Sequence, residues 1–243
     1  MINISLKTAT CLSFLCLITT CKIQAQEVIS KLEIKVKEVY LVKPDNILLV
    51  DTLIMHDKAV IQFNQGSPAF MGVNTAFIGK DCKLITKGTD GSLSENNTES
   101  LNGNDGSSLE MDIHFETLGS LTIDARGGSG GKGRDGNVEV PSTSKSDGDG
   151  TFKSIAPVKA SVSGGAGGNG GDGGNVSFTY STNRFIPRFN QYRKHNSIII
   201  LTQGGKGGKP GDLGKIEGRA GTDGQIKLVN KNLPSEPSHR QLP

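Results

Sequence analysis

Gly164-Gly165-Ala166-Gly167-Gly168-Asn169-Gly170-Gly171-Asp172-Gly173-Gly174-Asn175 is a run of four unbroken Gly-Gly-Xaa triplets. A strict period of three matches the polyproline-II helix, which has three residues per turn and makes no hydrogen bonds within itself. Its peptide groups must find partners on neighbouring strands or in water. Two bare faces of three let such helices pack on both sides, while the third carries Ala, Asn or Asp outward. At a rise of ~3.1 Å per residue, four triplets span ~37 Å. The same phase recurs at Gly127, Gly130, Gly133 and Gly136, with extra glycines at 128 and 131. A third insert begins Gly204-Gly205-Lys206-Gly207-Gly208-Lys209, slips at Pro210 and again at Glu217, and ends at Gly224. The expectation is three inserts that pair with one another in a small bundle. A flexible linker needs glycine composition but no triplet phase. Collagen favours proline at the variable positions, and Pro210 is the only proline in any insert.

Outward from the inserts the chain reads as β. Leu121–Ala125 leads into the first insert and Asn137–Val140 follows it; Lys159–Ser163 and Asn175–Tyr180 flank the second; Ser197–Gln203 and Gln225–Asn230 flank the third. Thr75–Gly79 and Lys83–Thr86 lead into Gly88-Thr89-Asp90-Gly91, a degenerate first copy. Upstream, Leu32, Ile34 and Val36 alternate with Lys31, Glu33, Lys35 and Lys37, a period of two with one wet face. Val39, Leu41 and Val42 continue after a bulge at Lys37-Glu38, Pro44-Asp45-Asn46 is a turn, and Ile47–Val50, Leu53–Met55 and Lys58–Phe63 are further short strands. No stretch has the spacing of an amphipathic helix. The fold expected is all-β: an elongated, β-solenoid-like repeat stack from which polyglycine-II (Gly-Gly-Xaa) inserts project. It divides into a signal peptide over 1–25, an N-terminal β region over 26–72, a β and glycine repeat domain over 73–230, and a disordered tail over 231–243. Ser92–Ser108 and Pro141–Gly150 read as mobile polar loops.

Composition fits this. Of 243 residues, 33 are glycine and none is tryptophan, so order must lean on backbone hydrogen bonds and β-branched side chains. Lys7 is the only charge before the apolar and hydroxylic run Cys11–Thr20, too short to span a bilayer. Cleavage after Ala25 would export a chain starting at Gln26. The alternative is a lipoprotein: Leu17–Thr20 form a degenerate lipobox before Cys21, whose thiol would carry the lipid and hold the protein at the membrane. After cleavage only Cys82 remains, and it reads as a small buried hydrophobe. With 27 basic and 24 acidic residues in the whole chain, nothing suggests nucleic acid as the partner.

The triplets resemble the polyglycine-II proteins, namely the receptor-binding tip adhesins of T4-like phages and the glycine-rich springtail antifreeze proteins. They also resemble the glycine-rich, collagen-like exported proteins of Bacteroidota. The resemblance covers Leu121–Asn230, and Val73–Gly91 less clearly. It implies a structural and binding role outside the cytoplasm, places no functional residue, and leaves the ligand open: a glycan or a surface protein. An oligomer is compatible with it.

Among sites, the structural glycines are Gly127, Gly130, Gly133, Gly164, Gly167, Gly170, Gly173, Gly204 and Gly207. The basic and aromatic stretch Thr182–Asn196 is the binding candidate, through Arg184, Phe185, Arg188, Phe189, Tyr192 and Arg193, because cations and rings suit anionic polymers or sugars. Asp135 and Asp172 end sequences that match the first six positions of a calcium-binding nonapeptide repeat. The apolar position then fails, and the copies do not stack at nine residues, so no metal is expected. His56, His114, His195 and His239 lack metal-ligand spacing, and no cofactor motif occurs. Catalysis on a β-helix needs clustered carboxylates. Asp81, Asp90, Asp112, Glu116 and Asp124 are the candidates for that alternative, a polysaccharide lyase or hydrolase.

Overall fold

A computed structural model describes residues 27–92, 100–137, 162–192 and 194–232. The expected signal segment with Cys21, the expected loop Pro141–Gly150, residues 138–140 and 159–161 of the expected strands, Arg193 and the expected tail beyond Asn232 lie outside the described residues. These hold twelve strands and no helix: β1 Val28–Ile34, β2 Val39–Leu41, β3 Ile47–Met55, β4 Val60–Gln62, β5 Ala69–Ile78, β6 Cys82–Ile85, β7 Leu109–Leu118, β8 Ser120–Asp124, β9 Val176–Thr182, β10 Arg188–Phe189, β11 Ser197–Leu201 and β12 Ile226–Asn230.

The strands sort into two sheets of six. Sheet 1 runs β1-β3-β5-β7-β9-β12, and sheet 2 runs β10-β11-β8-β6-β4-β2. Every pairing is parallel. Parallel neighbours normally need a long crossover. Here the chain crosses over by entering the other sheet, so each layer adds one strand to both; the exception is β10 and β11, which follow one another in the chain and pair within sheet 2. Alternation then points one side of every strand into a shared core. In sheet 1, Leu48, Met71, Met111 and Phe178 form one inner column. In sheet 2, Ile61, Leu84, Ile123 and Ile200 form another.

The corner from sheet 1 to sheet 2 is tight. Lys37, Lys58 and Asp81 adopt left-handed φ of 62°, 63° and 57° at equivalent places in successive layers. Such a conformation costs a non-glycine residue roughly 1–2 kcal/mol. Bonds between layers offset it: Lys37 N–H donates to Asp57 O (3.1 Å) and Lys58 N–H to Lys80 O (2.7 Å). The bulge read at Lys37-Glu38 is therefore this corner. The corner back to sheet 1 is short in the first two layers. Its anchor is Asn46, fully buried at φ 57°, whose Nδ2 donates to Asn64 O and Ser67 O and whose Oδ1 accepts from Asn64 N–H. In the next three layers that corner opens into glycine-rich excursions.

Two further readings change. Ile47–Met55 is one strand, because Asp51 and Thr52 both stay outside the core and the chain resumes its alternation at Leu53. Residue 72, the expected edge of the N-terminal region, lies inside β5, which pairs with β3 on one side and β7 on the other.

Candidate functional site

The excursions form six extended arms: residues 86–92, 100–107, 125–137, 162–175, 202–212 and 214–225, numbered arms 1 to 6. Arms 1, 3 and 5 leave sheet 2; arms 2, 4 and 6 return to sheet 1. Neighbours within the outgoing row bond directly, as Gly88 N–H to Arg126 O (2.9 Å) and Gly130 N–H to Lys206 O (2.8 Å). The expected single insert 204–224 is two antiparallel arms, with the turn at Leu213 (φ 65°) and Gly214 N–H donating to Gly211 O. The slip of phase at Pro210 thus marks a hairpin. Ser100–Ser107, read as part of a mobile loop, is arm 2, with Gly103 N–H on Asn169 O and Gly106 N–H on Asp172 O, both at 2.8 Å.

Arm 4 shows why the triplet has its form. The first glycines, Gly167, Gly170 and Gly173, donate to Ile216, Arg219 and Thr222 carbonyls of arm 6 at 2.8–3.0 Å. The second glycines, Gly168, Gly171 and Gly174, donate to Gly131, Gly128 and Ala125 carbonyls of arm 3 at 2.7–2.9 Å. The third residues donate to side chains of arm 2, Asn169 N–H to Asn102 Oδ1 and Asp172 N–H to Asp105 Oδ1, both 2.7 Å. A three-fold strand thereby satisfies its donors in three directions, as buried amides require.

The glycines are there for what they lack rather than for backbone freedom. Gly66 is the only described glycine with left-handed φ. At the nine expected structural glycines, an added Cβ would lie 1.8–2.3 Å from a carbonyl oxygen of an adjacent arm. Arm 4 abuts arm 5 through its first glycines and arm 2 through Gly168, Gly171 and Gly174. Arm 6 abuts arm 4 through Gly218, Gly221 and Gly224, one glycine per triplet, and its Arg219, Ala220, Thr222 and Asp223 are exposed. Glycine count per triplet therefore tracks how many neighbouring arms its own Cβ positions would strike.

Sequence reasoning missed the role of the third position. Asn169, Asp172 and Asn175 are exposed, but their Oδ1 atoms accept from Arg219, Thr222 and Gln225 N–H of arm 6 at 2.9, 2.7 and 2.8 Å. Asp90 does the same for Ser129 and Asp135 for Asp212, both at 2.8 Å. These bonds hold the carboxyls below their usual pKa: Asp172 through Thr222 N–H, Asp90 through Ser129 N–H, and Asp135 through Lys132 first and Asp212 N–H second. Asp135 and Asp172, the calcium candidates, thus serve as backbone acceptors. No group of three potential ligands gathers among the described residues.

The segment 182–196 is anchored by part of its expected binding set. Phe189 packs on Tyr180 with centroids 5.6 Å apart, and Phe185 lies against the core while its carbonyl accepts from Thr182 Oγ1. Arg188 and Phe189 form β10, the last strand of sheet 2. Arg184, Arg188 and Tyr192 are exposed. Lys194 and His195 reach the tight corner, where they line a depression of about 480 Å³ with Lys80, Asp81, Gly119 and Ser120.

The five carboxylates are dispersed. Asp81 is at the corner, Asp90 in arm 1, Asp112 and Glu116 on the outer side of β7, and Asp124 at the end of β8. Burial pulls the Asp124 carboxyl up, but the Arg126 guanidinium, at 2.6 and 2.8 Å, outweighs it and the net shift is down. Asp112 pairs with Lys231 at 2.6 Å. Glu116 accepts from Asn183 Nδ2 (2.8 Å) and lies 3.3 Å from His114 Nε2, and His114 Nδ1 is 2.8 Å from Ser181 Oγ. Cys82 is buried, and that burial pushes its thiol up to about 11. The chain matches no protein-family model, no curated protein and no solved structure at a significant level.

Proposed function

We propose that this chain is an exported, non-catalytic surface module, structural or adhesive, in which a β-solenoid carries a polyglycine-II bundle as a rigid display element. One observation carries the reading: the glycine arms are bonded to one another in register in three directions, with no room for a Cβ between them. Ordering glycine is entropically expensive. A chain that orders six such arms gains a surface whose side chains stand at fixed three-residue intervals, which suits recognition of an extended or repetitive partner. Export rests on the short apolar run before Ala25, with acylation at Cys21 as the alternative. The test is fractionation of the producing cell together with glycan and cell-surface binding by the purified chain. Binding that is lost when Gly170→Ala loosens the bundle supports the reading; a protein retained in the cytoplasm contradicts it.

A second reading, an enzyme acting on polysaccharides, draws on the line Ser181–His114–Glu116–Asn183 across the outer face of sheet 1. The strands there use their amides in the sheet, which leaves few donors for a developing oxyanion. Release of new reducing ends or unsaturated products from an acidic polysaccharide, abolished by His114→Gln, would favour this reading.

A further inference from the structure

Cations collect along the tight corner between the two sheets. Lys37 and Lys58 occupy the same position in layers one and two. Lys80 and Lys83 flank that position in layer three, and Lys194 and His195 approach it from the segment before β11. All six are exposed. Three carboxylates share the corner, fewer than its five lysines, and each already accepts a hydrogen bond. Glu38 Oε2 accepts from Lys35 N–H (2.8 Å), Asp57 Oδ1 from Lys80 N–H (2.8 Å), and Asp81 Oδ1 from Ser120 Oγ (3.3 Å). Some lysines elsewhere are paired, as Lys31 with Glu33, Lys43 with Glu27, Lys132 with Asp135 and Lys231 with Asp112, while others such as Lys206 and Lys209 of arm 5 have no ion pair among the described residues but stand apart from the corner. Among the described residues no ion pair holds Lys37, Lys58, Lys80, Lys83 or Lys194.

The spacing is that of the sheet. Layers repeat every ~4.8 Å, so cations in layers one, two, three and five line a track of roughly 19 Å. The depression at Lys80, Asp81, Ser120, Lys194 and His195, about 480 Å³, falls within the ordinary range of ligand pockets and has room for a sugar unit. Its floor is Gly119, where a Cβ would meet Gly79 O at 2.4 Å, so the hollow is fixed by backbone contact. Ammonium groups meet carboxylates or sulfates, while Asp81 and Ser120 offer partners for hydroxyls. A phosphodiester backbone carries few hydroxyls for Asp81 and Ser120 to engage, whereas every sugar unit of a polysaccharide carries several.

We propose that this corner is a binding track for a linear acidic polysaccharide, lying along the stack axis with one sugar in the Lys80–His195 depression. This rests on the surface-module reading and names its ligand class. The test measures binding of the full mature chain to polygalacturonate, dextran and single-stranded DNA at low and raised salt. The track predicts salt-sensitive binding to polygalacturonate and none to dextran. Removing three screened surface charges in Lys58→Gln/Lys80→Gln/Lys194→Gln should weaken it by about tenfold or more. The control Lys206→Gln/Lys209→Gln, in arm 5, should change it by less than about twofold. Thermal melts verify that both variants fold. A larger loss in the arm 5 control, or DNA bound as tightly as polygalacturonate, overturns the proposal. Failure to bind polygalacturonate with intact cell-surface adhesion also overturns it and leaves the surface-module reading standing. Binding accompanied by depolymerisation supports the track and removes the non-catalytic reading.

Discussion

Gly170→Ala is the most informative single change in the bundle. The added methyl would sit 2.1 Å from Gly205 O and 2.5 Å from Gly205 C, where ordinary contact begins near 3.4 Å. Both atoms belong to backbone, so no side chain can swing away. Arm 5 must move from arm 4 by more than an ångström. That movement strains Gly205 N–H to Gly171 O and Gly208 N–H to Gly168 O, each 2.8 Å. Overpacking costs about 1–3 kcal/mol, and one or two weakened bonds add about 1 kcal/mol each. The reduced freedom of the unfolded chain returns about 0.4–1 kcal/mol. The net expectation is about 3 kcal/mol of destabilisation, which in a chain of this size lowers the melting temperature by roughly 6–12 °C. Urea unfolding of the mature protein measures it. The partner variant Asn169→Ala removes one exposed acceptor, Oδ1 to Arg219 N–H, and should cost only about 0.5–1 kcal/mol. Glycine arms that were mere linkers would respond with the opposite sign, because alanine then only restricts the unfolded chain. A Gly170→Ala protein as stable as the parent, or more so, refutes the packed bundle.

Other expectations follow from the same contacts. Asn46→Ala removes a buried side chain that makes bonds at both ends in a left-handed turn, and should cost about 2–4 kcal/mol in the same unfolding assay. Asp90, Asp135 and Asp172 have folded pKa values below their unfolded ones. Their contribution is therefore full above the unfolded value, near pH 4, and is lost as pH falls through the folded values. Asp172→Asn, which keeps the acceptor and removes the titration, should flatten the acid limb of the stability curve. Cys82 has the reverse sign: its thiol is raised from 9.0 to about 11, so its contribution is full below pH 9 and declines as pH rises towards 11. A thiol reagent at pH 8 should leave native Cys82 unmodified and label it in urea. Chelator should leave the melting temperature unchanged; a fall of about 10 °C or more with EDTA would show a structural metal at the arms.

The period-two strands were legible because one side of each faces a core, as at Leu32 and Ile34; Val36, read as the next inward residue, is exposed instead, because β1 ends at Ile34 and the chain turns the corner there. So were the corner at Pro44-Asp45-Asn46 and the burial of Cys82. β7 was equally legible but not read: Leu109, Met111, Ile113 and Phe115 alternate with Glu110, Asp112, His114 and Glu116. Its nearness to a polar stretch hid it. The triplet phase announced paired arms, and Pro210 held the signal of a hairpin. Arm 2 carried only Gly103 and Gly106, the positions that press on arm 3, because toward arms 1 and 4 the close approach is made by the glycines of those arms. Its Asn102 and Asp105 looked like loop residues, since an Asx side chain that caps another arm's amide has no local signature. The separations of 67 and 50 residues between Asp105, Asp172 and Thr222 put those partners beyond any windowed reading. The lysine corner was hidden for the same reason: its members are far apart in sequence and meet only through the register of the two sheets.

The bundle exists only if the glycine arms are ordered by one another. Site-resolved amide hydrogen exchange on the mature protein tests this directly at Gly167, Gly168, Gly170, Gly171, Gly173 and Gly174, each of which donates to a carbonyl of another arm. The bundle predicts exchange slowed by ~100-fold or more relative to a peptide of the same sequence, approaching the protection of β9. Exchange at the free-peptide rate across these six glycines, with β9 still protected, would contradict it.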